Sequence, residues 1–153
     1  MEILGANYLL PTDIKFDEVD EIKEHSVLLQ NFLESMNERK SKLTLAIIDT
    51  SRDNPFKNQG RLVGAPTSPF AGQIVAFSSS IGQSPLDYLG PHDINPNGLF
   101  ARVFVQEIKI PGQIIEVTLN NVRGKVKNLA DSANYLQVPN VNTSLINSYY
   151  LNK

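Results

Sequence analysis

The spacing of apolar residues along the chain predicts strands and helices that alternate. From about Glu21 to Arg39 the apolar side chains recur every three or four positions, as on one face of a helix. The run Leu43 to Ile48 is largely apolar and rich in β-branched residues, which predicts a strand of a parallel sheet covered on both faces. A second buried strand is predicted at Gln73 to Ser79. Tyr8 to Leu10 is a short extended piece, and the asparagine-rich tail from Tyr135 to Leu151 has room for one short strand.

Two long loops and two more helices complete the pattern. Residues 50 to 72 and Ser80 to Gly98 are rich in proline and glycine, and connections of this length are usually functional or mobile. Helical spacing returns at about Leu99 to Lys109 and at Gln113 to Leu129, separated by Pro111-Gly112. The alternation of strands with helices predicts an α/β protein.

Composition narrows the function classes. With 153 residues and 41% hydrophobic content, the chain is expected to be one domain or a large piece of one. The net charge of -2 and the scattered Lys and Arg residues argue against a nucleic-acid partner. No apolar run reaches the roughly 20 residues of a membrane span, and a signal sequence is not recognisable, so no membrane and a cytoplasmic location are expected. Zero cysteine excludes disulfides and thiol chemistry, and no metal or cofactor is expected.

The polar segment that follows the first buried strand is the candidate site. In open α/β sheets ligands lie beyond the carboxyl ends of the strands, which here means Asp49 to Phe56. Ser51 lies where a nucleophile is expected, but a serine hydroxyl needs a base to attack. His25 is expected to be exposed on the first helix, whereas His92 lies in the second loop, from which it could approach Ser51. The Gly-x-Ser-x-Gly pattern of the α/β-hydrolases is not present around Ser51.

The same segment resembles a known family. Asp49-Thr-Ser-Arg-Asp-Asn-Pro-Phe56 is similar to the nucleophile loop of the bacterial caspase-like peptidases, which reads Asp-Ala-Cys-Arg-Asn-Asn-Pro-Phe. Gly5-Ala-Asn-Tyr-Leu-Leu-Pro11 resembles the Gly-x-Asn-Tyr-Leu-Ile-Pro segment that follows that family's catalytic Gly-His-Gly. Further segments follow in the family's order: Gly64-Ala-Pro, Gln73 to Gln83, Asn97-Gly-Leu-Phe, Ile110-Pro-Gly, Val122-Arg-x-x-Val126, Gln137-Val-Pro and Ser144 to Leu151. The chain thus resembles the caspase, metacaspase and orthocaspase superfamily over nearly its whole length.

The resemblance implies a fold and an activity. The fold would be a three-layer α/β sheet with helices on both faces, here without its N-terminal strands. Residues 1–60 would be the end of the large-subunit region, and residues 61–153 the linker and the small-subunit region. Ser51 stands in the place of the nucleophilic cysteine. The family's catalytic histidine lies just upstream of the segment that begins at Gly5, where this chain reads Met1-Glu2-Ile3-Leu4, so the general base is expected to be absent. The chain is therefore expected to be a caspase-like endopeptidase scaffold, inactive as it stands. The alternative is a non-catalytic pseudo-caspase module that binds a partner protein or peptide.

The resemblance also assigns roles within the site. Asp49 would supply an acidic floor to the pocket for the residue before the cut, in relatives that cleave after Arg or Lys, and Asp87 would be the second carboxylate. The plainer interpretation is that Asp49 ends a strand and Asp87 caps a turn. Arg52, Asp53 and Asn54 match the family loop and are expected to shape it through turn hydrogen bonds. Arg102 stands where relatives show a small polar residue, so this part of the pocket is expected to differ from theirs.

The expected absence of the family's N-terminal strands bears on which chains could bind this one. Without them, Leu43 to Ile48 would lie at the edge of the sheet, where an apolar strand invites pairing. A peptide or protein substrate is expected, together with an N-terminal fragment or a second caspase-like chain that completes the sheet. Self-association is a further alternative, and so is a partial cover by Tyr8 to Leu10 and the tail.

Overall fold

The computed structural model describes residues 1–3, 5–13, 19–52 and 67–152. Two three-stranded sheets and four helices lie in these ranges. In chain order the elements are β1 (Glu2–Ile3), β2 (Ala6–Leu9), α1 (Val19–His25), β3 (Val27–Leu28), α2 (Leu29–Glu38), β4 (Thr44–Ile48), β5 (Gln73–Phe77), α3 (Leu99–Glu107), α4 (Ile115–Ser132) and β6 (Asn140–Thr143).

The larger sheet has the order β4-β5-β6, with β4 and β5 parallel and β6 antiparallel to β5. Every residue of the central strand β5 is buried. Because successive side chains of a strand point to opposite faces, β5 supplies two cores. Val75 and Phe77 pack with Leu29 and Leu33 of α2. Ile74 and Ala76 lie on the other face, where they pack with Ile115 and Leu119 of α4. The sheet thus has helices on both faces, which confirms the predicted three-layer α/β architecture.

The helix pair α3 and α4 forms a third cluster of buried side chains. Leu99, Phe100 and Val103 of α3 pack against Val122 and Val126 of α4. The two predicted helices are confirmed, with ends within about three residues of the predicted ones. The long Pro- and Gly-rich segment before α3 contains neither helix nor strand, as its composition predicted.

An ion pair also joins α3 to α4. Glu107 is 2% exposed, and Lys125 Nζ lies 2.6 Å from its Oε1. A buried carboxylate is costly unless it is paired, so this contact fixes the relative position of the two helices.

One predicted helix is wrong. The helix expected from Glu21 to Arg39 is interrupted: α1 ends at His25 and α2 begins at Leu29. Between them, Val27 and Leu28 form β3, which pairs antiparallel with β2. Helical spacing continues through this point in the sequence, but backbone pairing with a distant strand, which periodicity cannot show, decides the local structure.

The strand β4 differs from the prediction in its cover. Only Ala46 of β4 is buried, and its other residues are half-buried, so the strand is covered less completely than predicted. Within the described ranges β4 pairs with β5 on one side only. The alternative of a partial cover by Tyr8 to Leu10 and the tail does not match the described strands: β2 belongs to the smaller sheet, and the tail strand β6 pairs with β5. None of the described helices is long and apolar enough to cross a bilayer.

Replacement of two glycines by alanine tests the backbone geometry at the start of the β4–β5 pair. Gly72 has φ of +81°, and an added Cβ would lie 3.1 Å from the carbonyl oxygen of Lys42. Gly72 O also accepts from Thr44 N at the start of the β4–β5 pair. We expect Gly72→Ala to lower the free energy of unfolding by about 1 to 3 kcal/mol, because the left-handed conformation is strained for alanine. The measurement is urea unfolding of both proteins.

The matched control is Gly124→Ala, in the interior of α4. An added Cβ there meets no atom within 4 Å, so this change should stabilise the protein by up to about 1 kcal/mol through helix propensity. Equal effects of the two substitutions would contradict the backbone geometry described for Gly72.

Candidate functional site

The candidate site lies where β4 and β5 end side by side. The parallel pairing continues past the strands, since Ser78 N donates to Ile48 O at 2.9 Å and Thr50 N donates to Ser78 Oγ at 3.2 Å. Asp49 and Ser51 therefore leave the sheet at the same edge as the loop that follows β5. This is the position at which a parallel sheet presents a ligand site.

A cavity of about 420 Å³ opens at this edge. It is lined by the three residues for which the sequence analysis predicts a role in catalysis or substrate binding: Ser51, Asp49 and Asp87. Ser51 Oγ lies 2.8 Å from Ser84 Oγ, in a hydrogen bond that either hydroxyl can donate. The described residues lining the cavity are Asp49, Thr50, Ser51, Ser84, Pro85, Asp87 and Gly98.

The two carboxylates converge on Gly98. The point where a Cβ on Gly98 would lie is 3.9 Å from Asp49 Oδ2 and 3.7 Å from Asp87 Oδ1. Burial raises the pKa of Asp49; the Ser78 hydroxyl and Ala101 N–H lower it, while the negative charge of Asp87 raises it. A half-buried carboxylate beside a second one is stabilised by a cation, so this end of the cavity is suited to a positively charged group.

The backbone of Asp87 is held by an arginine. Arg102 Nη2 donates to Asp87 O at 3.1 Å, and its Nη1 donates to Asp93 Oδ2 at 2.7 Å. Asp93 Oδ2 also accepts from Leu89 N at 2.7 Å, and these bonds lower the pKa of Asp93. Arg102 thus has a structural role, because one guanidinium ties several parts of the Asp87 loop together.

The sequence did not reveal the role of Gln137. It is fully buried, its Oε1 accepts from Leu86 N at 2.9 Å, and its Nε2 donates to Ser78 O at 2.9 Å. One side chain from the tail therefore joins the end of β5 to the loop that carries Asp87. The only signal in the sequence was the motif Gln137-Val-Pro, because a lone polar residue in a tail has no periodicity that marks it as buried.

Arg52 is not among the described residues that line the cavity of Ser51, although the two residues are neighbours in sequence. It is 5% exposed, and its guanidinium carbon lies 4.0 Å from the centroid of the Phe77 ring. Its backbone is fixed by Arg52 N donating to Gln83 O and Gly82 N donating to Arg52 O. Asp53 and Asn54, which the sequence grouped with Arg52, lie outside the described residues.

The histidines do not join the described site. His25 is exposed on α1, as expected. His92 is exposed as well and is not among the described residues that line the cavity. In the described part of the chain no cluster of three or more His, Asp or Glu side chains could hold a metal ion.

Comparison with protein families gives a match over nearly the whole chain. The model of a family described as the caspase domain matches residues 5–150 of the 153. No curated protein matches the chain.

The position of Gln137 generates a prediction. Gln137→Leu keeps the volume but leaves Leu86 N–H and Ser78 C=O without their partner in a dry environment. We expect a loss of about 2 to 4 kcal/mol in the free energy of unfolding, from the cost of two buried unpaired groups. Gln106→Leu, on the exposed side of α3, is the matched control and should change stability by no more than about 0.5 kcal/mol. The measurement is chemical denaturation of the two variants. Similar losses in the free energy of unfolding would mean that the hydrogen bonds of Gln137 contribute little to stability.

Proposed function

Because this chain belongs to the caspase-domain family of peptidases, we propose that it is a caspase-like endopeptidase scaffold whose cavity receives the Arg or Lys side chain that precedes a cleavage site. The observation that carries the proposal is the convergence of Asp49 and Asp87 on Gly98, in the cavity that Ser51 also lines.

The chemistry of the acidic pair favours a basic side chain over other ligands. Two carboxylates that share a partly buried site repel each other, and a guanidinium or ammonium group removes the repulsion while it forms charge-assisted hydrogen bonds. Gly98 contributes by its missing side chain, since a Cβ there would occupy space within 4 Å of both carboxylates. The pKa of Asp49, raised mainly by burial, is consistent with a carboxylate whose counter-charge comes with the ligand.

Ser51 is the reason to propose binding without cleavage. The chain contains no cysteine, so the thiolate that performs attack in caspase-like enzymes has no source here. The hydrogen bond described between Ser51 Oγ and the Ser84 hydroxyl does not supply a base near neutral pH. Because the thiol is absent, we propose that this chain is inactive. The second candidate is a non-catalytic pseudo-caspase module that binds a partner protein or peptide. It is favoured by the same observation, namely a cavity that is formed but is lined by a serine hydroxyl and no thiol.

The exposed side of β4 supports a proposal about partners. Among the described residues β4 has one hydrogen-bonded neighbour, β5, and its own side chains are only half-buried apart from Ala46. A strand with one free side offers backbone donors and acceptors to an added strand. We propose that an N-terminal fragment or a second caspase-like chain pairs there.

Binding of a basic peptide tests the pocket. The probe is acetyl-Gly-Arg-amide, compared with acetyl-Gly-citrulline-amide, which keeps the shape and lacks the charge. We expect the arginine peptide to bind at least about tenfold more tightly, and Asp49→Asn and Asp87→Asn each to remove most of that difference, as measured by isothermal titration calorimetry. Asp131→Asn removes the same charge from an exposed Lys127 pair and should leave binding unchanged.

The pH dependence sharpens the same test. Ionised Asp49 attracts the guanidinium, and its pKa lies above the usual value of 3.8, so affinity should decrease as pH falls through that raised pKa. In Asp49→Asn this part of the pH dependence should disappear. Equal binding of the arginine and citrulline peptides by the unmodified chain would exclude the proposed pocket.

Native mass spectrometry separates the two candidate functions. A second polypeptide bound to the 17.0 kDa chain purified from its source would support a split or processed peptidase. In such a complex Ser51→Cys is expected to cleave after Arg or Lys, with Asp87→Asn as the variant that loses this preference. A folded monomer with no bound fragment would favour the stand-alone binding module.

A further inference from the structure

Arg52 has an unusual environment for a charged residue. The residue is 5% exposed, and its guanidinium lies over the ring of Phe77 at 4.0 Å. Its Nε is buried and has no hydrogen-bond partner among the described residues. None of the ion pairs in the described part of the chain includes Arg52. Contact with an aromatic face compensates only part of the cost of burying a cation, so the guanidinium is left without a paired anion among the described residues.

Among the described residues, Glu2 is the carboxylate whose charge acts on Arg52, and one of its oxygens is already engaged. The charge of Glu2 acts favourably on Arg52 from a distance, but Glu2 Oε1 accepts the hydrogen bond of Gly5 N at 3.0 Å. Glu2 is itself 8% exposed, so it is held at this position. It therefore reduces the cost of the buried cation without occupying the donors of the guanidinium.

Arg52 lines a second cavity, of about 450 Å³. Two asparagines of β6, Asn140 and Asn142, line it too, and they lie on one face of that strand because side chains alternate. Asn140 is the register partner of Phe77, so its amide stands beside the ring that Arg52 covers. Thr67 also lines the cavity; its hydroxyl accepts from Asn7 Nδ2 at 2.8 Å and keeps its own proton for donation.

Asparagine is disfavoured in strands, and the intervening residue Val141 packs against the apolar core on the opposite face of the sheet. Two amides directed to the cavity face of β6 thus make a polar wall next to a buried cation. Amide, hydroxyl and guanidinium donors that surround one space are the groups that bind an anion.

We propose that this cavity is a binding site for a carboxylate, held by the planar fork of Arg52 with Asn140 and Asn142 as additional donors. The two oxygens of a carboxylate match the fork. A carboxylate fits better than a phosphate because Glu2 already offsets part of the charge of the cation, so a single negative charge is enough. The carboxylate can belong to a free small acid or to an acidic side chain of a bound peptide. None of the described lining residues is shared with the cavity of Ser51, so this proposal does not depend on the acidic pocket.

The test observes the Arg52 Nε–H resonance by proton–nitrogen NMR while acetate replaces chloride at constant ionic strength. We expect a saturable downfield shift, because the unpaired Nε–H acquires a charged acceptor. The second probe is acetyl-Gly-Glu-Gly-amide, with acetyl-Gly-Gln-Gly-amide as its neutral counterpart. Tighter binding of the glutamate peptide than of acetate assigns the site to an acidic side chain, and equal binding assigns it to a small free acid.

A variant that supplies the carboxylate internally makes the test specific. Asn140→Asp places an acid beside Phe77, and it should raise the melting temperature and weaken acetate binding by at least about tenfold, the factor equivalent to about 1.4 kcal/mol. Asn128→Asp makes the same charge change on an exposed position of α4 and should leave both unchanged. The proposal is wrong if neither acetate nor the glutamate peptide moves the resonance, if inorganic phosphate binds more tightly than both, or if the two variants behave alike.

Discussion

The parallel pairing of β4 with β5 is the constraint on which the rest of the structure depends. Five residue pairs, from Thr44 with Gln73 to Ile48 with Phe77, fix the register of the two strands. The ladder continues into the loops through Ser78 N and Ile48 O, so the segments that follow both strands leave the sheet together. A shift by one residue would turn every side chain of a strand to the other face. The register therefore decides at once which side chains fill the two cores and which loops meet at the site.

Beyond the ladder, the amide side chains of buried Gln137 and half-buried Gln83 replace secondary structure. The loop between β5 and α3 has no strand or helix to satisfy its backbone, and glutamines satisfy parts of it instead. Gln137 bonds Leu86 N and Ser78 O, while Gln83 Oε1 accepts from Val138 N at 2.9 Å. Such bonds are strong in a dry interior and costly to lose, so they hold the loop more specifically than apolar contacts would. The position of Asp87 follows from these bonds together with Arg102.

Sequence patterns predict those structural elements that are determined by residues close together in the chain. The strands β4 and β5 and the helices α3 and α4 follow from apolar runs and helical spacing, although β4 is less buried than its apolar run predicts. The resemblance to caspase-like enzymes is enough to group Asp49, Ser51 and Asp87 in one cavity. The break between α1 and α2 could not be predicted, because it is caused by the pairing of β3 with β2. The burial of Arg52 on Phe77 could not be predicted either, since turn chemistry accounts for an arginine in a loop without indicating which ring it covers.

The adjacent residues Ser51 and Arg52 line two cavities of opposite electrostatic character. Ser51 lies in the cavity with the two carboxylates, and Arg52 lines the cavity with the amide wall. Both residues belong to one segment that hydrogen bonds to Gly82 and Gln83 hold against the β5 loop. A cation in one cavity and an anion in the other would each stabilise this segment. Ligands that favour the same conformation of a segment raise each other's affinity, so the two proposed sites would be coupled through the segment that carries Ser51 and Arg52.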